Sequence, residues 1–225
     1  APIRMDDALL DLDDPFTHTV AYNRVSPSSY LRGHGPAIPF ARAVLDRYAA
    51  AGRRVLNGGR SFHLETSKVA QHLLLAKLGV ATPRTIVFNN RSAPRKEIRD
   101  FPFPAMLKPD CGGSGALVRE VASLEHLFVL LEQDRSLFGP DHLLLLQEKI
   151  ASSDGTIVRT EFIDGELVYA MRVHPRNTFN LCPADSCERL PADPAQGEAG
   201  ASFEPYPAIA PDAVAQAREI VRASD

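Results

Sequence analysis

Tryptophan is absent from this chain, and aromatic residues make up only 7% of it, so its core is only modestly aromatic. Cysteine occurs three times in 225 residues. An odd, sparse set of that kind builds no disulfide framework, and a reducing, cytoplasmic setting is expected. No run approaches the ~18 consecutive apolar residues of a membrane-spanning helix. The first residues, 1–14, are acidic and lack the basic start and apolar run of a secretory signal. An excess of positive charge is missing too. Lys plus Arg number 25 against 28 for Asp plus Glu, a net charge of −3, which excludes a nucleic-acid coat.

What is present is an ordinary globular composition, 44% hydrophobic and 24% charged, enough to bury a core and to exclude wholesale disorder. The length fits one large domain or two small ones. Eighteen prolines and fourteen glycines punctuate it. Residues 1–36 read as irregular. Apolar spacing predicts a helix over 39–51, stopped by Gly52, then a short strand at 53–56. Thr66 or Ser67 caps the next helix, whose stripe is Val69, Ala70, Leu73, Leu74 and Leu78, with Gly79 as its stop. Strands are predicted at 85–88, 103–108, 116–121 and 143–148, with a charged helix at 93–100 and another helix at 123–133. Strands at 155–163 and 166–173 meet at Asp164-Gly165, a strong hairpin signal. Residues 190–211 read as loop, and Pro211 opens a last helix with Val214, Ala217, Ile220 and Val221 inward. Helices and strands alternate early, but the later part is strand-rich with a hairpin. The fold class is therefore α+β, not a doubly wound parallel sheet.

Three segments suggest chemistry. The first is Lys108-Pro109 followed by Asp110-Cys111-Gly112-Gly113-Ser114-Gly115 between two strands. Glycines let backbone N–H groups approach phosphate oxygens, and a lysine on the preceding strand adds a point charge. No Lys-Ser/Thr follows, so this is not a Walker loop, and on the glycines alone a plain β-turn serves as well. The second is Lys68 at the N-terminal end of a helix, where the peptide dipoles disfavour a cation. Such a lysine reads as a solvated charge or as the partner of a nearby anion. The third is Leu143-Leu144-Leu145-Leu146 running into Gln147, Glu148, Lys149 and Ile150. A buried strand with a polar end suits an adenine edge and a ribose hydroxyl. Cys182 and Cys187 have the spacing of a partial zinc site, but no four-ligand pattern, and read as loop or buried cysteines. The histidines show no mutual spacing.

Taken in order, these pieces resemble the ATP-grasp family, in its branch of alpha-L-glutamate ligases and glutathione synthetases. The similarity lies in Thr66-Ser67-Lys68 opening a helix that ends Leu78-Gly79-Val80-Ala81-Thr82-Pro83-Arg84-Thr85, in Phe103-Pro104-Ala105-Met106-Leu107-Lys108-Pro109 with the glycine run, and in Leu145-Leu146-Gln147-Glu148-Lys149-Ile150. It continues through Asp154-Gly155-Thr156-Ile157-Val158-Arg159 and Asp164-Gly165-Glu166, covering about residues 20–182.

The resemblance implies a two-lobed fold clasping ATP. Residues 1–60 would be the remnant of a preceding domain, 61–146 the first lobe and 147–225 a partial second lobe, with part of both ends missing. It implies that Lys68 and Lys108 hold the α- and β-phosphates, that Gly112, Gly113, Ser114 and Gly115 close over the γ-phosphate, and that Gln147, Glu148, Lys149 and Ile150 form the adenine hinge. Arg159, Arg172 or Arg176 would stabilise the transferring phosphoryl group. Mg²⁺ would be held mainly by residues outside this chain, with Asn180 as the candidate within it. Ile157 stands where relatives often carry an acidic ribose contact, which leaves Glu148 or Asp154 for that role. The implied reaction is ATP-dependent, ADP-forming ligation of a small-molecule or peptide carboxylate to an amine through an acyl phosphate. A small-molecule kinase on the same fold and a non-catalytic nucleotide-binding module are the alternatives. No nucleic-acid or membrane partner is expected, and a homo-oligomer is compatible with the family.

Overall fold

The computed structural model describes residues 3, 8–13, 18–91, 96–113, 115–176 and 200–224. Its first unit is a βαβ crossover. Strand β1 (Val20–Tyr22) pairs in parallel with β2 (Arg54–Leu56), and helix α1 (Ala37–Ala50) connects them. Parallel neighbours need such a crossover. The predicted helix is there, but β1 went unseen, because three residues are too few for alternation to show. Ile38, Ala41, Leu45 and Phe62 cluster here with Cys111 from far along the chain.

Two short helices follow, α2 (Gly59–Thr66) and α3 (Lys68–Lys77). Helix α2 was not predicted. It opens on Gly58-Gly59, a turn signal, and anchors itself on only Phe62 and Thr66, which are buried one turn apart. Thr66 Oγ1 donates to Phe62 O at 2.7 Å, so the cap of α3 falls to Ser67, whose hydroxyl accepts the Ala70 N–H at 3.1 Å. Gly79, at φ +69°, ends α3 in the left-handed region.

The central sheet has the order β3-β6-β4-β5, every pair antiparallel: β3 (Thr85–Phe88), β4 (Ala105–Pro109), β5 (Arg119–Val121) and β6 (Leu144–Glu148). One face packs its apolar side chains, including Leu107, Val121, Leu144 and Leu146, against Leu127 and Leu131 of α5 (Leu124–Gln133) and against Leu137 and Phe138. Helix α4 (Lys96–Arg99) adds Ile98 to this core. The strand predicted from residue 116 starts only at 119. Ala116 and Val118 donate instead to Gly113 O and Gly115 O, and Leu117 sits at φ +59°, so the glycine loop exits through turns.

The third sheet is β7 (Ile157–Ile163), β8 (Glu166–Arg176) and β9 (Gly200–Pro205), again antiparallel. Asp164 and Gly165 both have positive φ, 51° and 76°, as the predicted two-residue hairpin requires. Of the loop expected over 190–211, residues 200–205 form strand β9 instead, 206–210 are turn and loop as expected, and 190–199 lie outside the described residues. The strand's Gly, Ala and Pro content argues against it locally, and pairing with β8 overrides that. Helix α6 (Pro211–Ser224) presents Val214, Ala217, Ile220 and Val221 half-buried, as its spacing predicts. Arg218 donates to Gly165 O at the β7–β8 turn, while Arg60 and Ser61 of α2 donate to the carbonyls of Ala223 and Ser224. Helix α6 thus ties the third sheet to the α2–α3 region. Among the described residues no helix is long and apolar enough to cross a membrane.

Candidate functional site

Opposed residues of an antiparallel pair share a face. By register, Thr85, Gln147, Met106 and Glu120 form one row across the central sheet, with Val87, Leu145 and Lys108 in the next. This is the face turned away from the α5 core. Lys108 Nζ donates to Gln147 Oε1 at 2.6 Å, and Gln147 Nε2 donates to Thr85 Oγ1 at 3.0 Å. Burial holds the Lys108 ammonium below the usual lysine pKa, because desolvation penalises the charged form. Among the described residues Gln147 is the side-chain partner of Lys108, and a desolvated cation with donors to spare is suited to receive an anion.

Lys68 lies close enough for the Lys108 ammonium to depress its pKa. Its pKa is lowered chiefly by burial, raised again by Asp110, and lowered further by Lys108. The sequence thus placed two lysines from separate elements, and the structure brings them together. Lys68 Nζ donates to three backbone carbonyls, Pro109 at 2.8 Å, Asp110 at 3.0 Å and Gly112 at 3.2 Å. The anion anticipated beside this helix start is Asp110 of the chain itself, buried, whose Oδ1 accepts the Val69 N–H at 2.8 Å.

The glycine loop begins at this junction. Cys111 donates its N–H to Asp141 Oδ2 at 3.0 Å and its thiol to Pro27 O at 3.5 Å, while Tyr30 Oη donates to Cys111 O at 3.3 Å. A Cβ built on Gly113 would stand 3.2 Å from Pro27 Cγ, tighter than nine in ten real contacts, so glycine lets the loop approach the 27–30 segment without displacing Pro27. Ser114 lies outside the described residues, and Gly115, at φ +74°, turns the chain toward β5. Tyr30, Asp110 and Asp141 were missed by sequence reasoning. Only Asp110 left a signal, the lysine set against the helix dipole.

The remaining predicted residues separate. Glu148 lies on the face opposite Gln147, and its Oε2 accepts the Arg84 N–H at 3.2 Å. Lys149 reaches across to Glu120 at 2.8 Å, and Ile150 is exposed. Arg159 is directly opposite Met171 and Arg172 opposite Val158, so the two arginines occupy opposite faces of the third sheet. Arg159 Nε donates to Glu161 at 2.7 Å. The Arg172 guanidinium lies 3.6 Å from Asp154, 3.9 Å from Glu204 and 4.5 Å from the centre of the Tyr206 ring. Asp154 is held down to about 2 by hydrogen bonds from Thr156 and Ser152. Arg176 pairs with Gly200 at the end of β8. Asn180, Cys182 and Cys187 lie outside the described residues. Among the described residues no cluster of His, Cys, Asp and Glu could hold a metal ion.

No protein-family model matches the chain. Among solved structures it is similar to the D-alanine–D-alanine ligase of Bacillus anthracis (17% identical, TM-score 0.61), covering 83% of this chain and 58% of that one. It is also similar to the ATP-grasp ligase PsnB in complex with a minimal precursor (22% identical, TM-score 0.53), over 92% of this chain and 60% of that one. A RimK-domain ATP-grasp protein of Sphaerobacter thermophilus matches at 18% identity and TM-score 0.54, over 72% and 58%. PsnB has also been solved with Mg and ADP. Among curated proteins, the phosphoribosylamine–glycine ligase of Neisseria meningitidis serogroup A is 23% identical over 181 residues, and that of Caldanaerobacter subterraneus 24% identical over 142. The chain spans 40% and 33% of those two relatives.

Proposed function

We propose that this chain, which has the ATP-grasp fold, supplies the nucleotide-holding part of an ATP-dependent carboxylate–amine ligase acting on a small molecule or peptide. The observation that supports it best is Lys108, a desolvated ammonium on the face of the central sheet turned away from the α5 core, next to Lys68 and one residue from the glycine loop's root. The similar proteins of known reaction are ligases, which favours ligation over other chemistry on this fold. On this reading residues 1–60 belong to a preceding domain, 61–146 to a first lobe and 147–225 to a second. The three sheets fall one in each, apart from the final residues of β6, which cross the second boundary.

The residues present suit a nucleotide. Lys108 has N–H groups to spare beyond its bond to Gln147, and Gln147, anchored on Thr85, fixes where that ammonium sits. Gly112 and Gly113 offer backbone close to the same place without a Cβ in the way. When bound, ATP supplies a phosphoryl group that activates a carboxylate for attack by an amine. The chain's contribution is to place the triphosphate, neutralise it and exclude water, which is the larger part of catalysis in phosphoryl transfer. Arg172, half-buried and facing Tyr206, is the arginine of the third sheet proposed to meet the transferring group.

Losing a charged phosphate contact costs ~2–4 kcal/mol of transition-state stabilisation, so Lys108→Ala in the whole protein should slow ADP formation by about a hundredfold. The assay is ADP release with and without a supplied amine. Unchanged turnover in the variant sinks the assignment, and amine-independent ADP release tied to a phosphorylated product shifts the reading to a kinase.

A further inference from the structure

Arg172 and Ala170 are two residues apart on β8 and so share one face of the third sheet. The same face carries Glu204, opposite Arg172 in register. It also carries Tyr206, whose N–H donates to Ala170 O at 2.9 Å and continues the pairing one step past β9. Tyr206 thus stands across from a methyl group and diagonal to the arginine, a spacing that an aromatic side chain can bridge. A small residue at 170 leaves the ring room to lean over it, and Ala170 is buried. The centre of the Tyr206 ring lies 4.5 Å from the guanidinium carbon of Arg172, within the range of a cation–π contact.

The carboxylates nearby hold this arginine less firmly. Asp154 Oδ2 is 3.6 Å from one terminal nitrogen and Glu204 Oε1 is 3.9 Å from Nε, both beyond hydrogen-bond length. Both acids are about half exposed, where ion pairs are weak. Each is also engaged elsewhere. Asp154 Oδ1 accepts from Ser152 and Thr156, and Glu204 Oε1 lies 3.2 Å from His174. Arg172 Nε is buried with no hydrogen-bond partner among the described residues, while its side chain as a whole keeps 30% of its surface. The covered part is the inner edge at Nε, and the exposed surface lies elsewhere on the side chain. A close bidentate carboxylate would occupy two of the guanidinium's donors and offset its charge. An aromatic face attracts the same group without accepting its N–H bonds.

We propose that Tyr206 is a positioning residue, whose ring face holds the Arg172 guanidinium in place while leaving its N–H donors and its positive charge for the transferring phosphoryl group. The second half rests on the function proposed above, which gives Arg172 that partner. The stacking does not rest on it, because it exists without nucleotide.

The test uses the whole protein and two measurements. The first is the Arg172 Nε–H resonance in nucleotide-free, ¹⁵N-arginine-labelled protein, assigned by its loss in Arg172→Ala. The second is the preference for the non-hydrolysable ATP analogue AMPPNP over ADP with Mg²⁺ present, which isolates contacts to the γ-phosphate. Arg172→Ala should lower that preference by about tenfold or more. Tyr206→Leu should shift the resonance and lower the preference by about threefold or more, with the ADP Kd changed by less than about twofold. Tyr206→Phe, which keeps the ring, should restore both. Adding Tyr206→Leu to Arg172→Ala should cost less than about twofold further, since the ring acts through the arginine. Tyr206→Met serves if the leucine variant does not fold. An unmoved resonance overturns the stacking. Equal weakening of ADP and AMPPNP by Tyr206→Leu overturns the proposal in favour of a merely structural ring. A Glu204→Gln variant that lowers the preference as much as Tyr206→Leu overturns it in favour of the ion pair. Full preference in Arg172→Ala removes the phosphoryl contact assigned to that residue, while the resonance still decides the stacking.

Discussion

Cys111 shows how far a single side chain can depend on its surroundings. It is the residue before the loop's first glycine, yet its side chain is buried at 3% exposure among Ile38, Ala41, Leu45 and Phe62. Burial and then the nearby Asp141 carboxylate push its thiol up from 9.0 to about 11. The folded state thus favours the neutral thiol more than the unfolded chain does. That preference is fully present below pH about 9 and is lost as pH rises through about 11. Urea denaturation at pH 8 and pH 11 should therefore show wild-type protein losing more stability than Cys111→Ala over that range. Parallel losses would mean that the thiol is not held neutral by the fold. Nothing in the sequence marked this burial. A cysteine before a glycine run reads as a loop residue, and its packing partners lie more than forty positions away.

Helix α3 is the element whose local chemistry is most complete in the chain's own order. A capping hydroxyl and a terminal glycine lie within thirteen residues, 67–79, and each acts on its immediate neighbours, but of the expected apolar stripe Leu73 is exposed and no residue of α3 is fully buried. Ser67→Ala should cost ~1 kcal/mol of stability in denaturant unfolding, whereas Ser67→Gly should cost only a few tenths. Equal stability of the alanine variant and wild type would show that the cap bond to Ala70 adds nothing. By contrast, α2 and β9 were missed or misjudged. A glycine-led helix of eight residues and a strand rich in Gly, Ala and Pro have little intrinsic preference for their conformations. They form because Phe62 has a cluster to enter and because β8 offers an unpaired edge.

At the scale of the molecule, the helices α2, α3 and α6 join the central and third sheets, and the site lies where β4, the glycine loop and the start of α3 converge. A ligand that binds only the folded protein stabilises it in proportion to its occupancy. On the function proposed here, ADP at about a hundred times its Kd should therefore add ~2.7 kcal/mol to unfolding, seen as a rise in Tm. That rise should shrink in Lys108→Met. Its absence from the whole protein at millimolar ADP would count against the nucleotide site as a whole.

The amino-acid order alone determined the α+β class, most helix limits, the Asp164-Gly165 hairpin, and the two lysines and glycine run as the place to look. Those signals are local: capping, periodicity and turn conformation act over a few residues, so they survive without knowledge of the rest. Tertiary structure alone decided which lysine is bound by carbonyls and which by a carboxamide, that Arg159 and Arg172 face opposite ways, and that residues 27–30 lie against the loop. Such facts follow from strand register and from contacts between distant segments, and a shift of one residue in register would reverse every one of those faces.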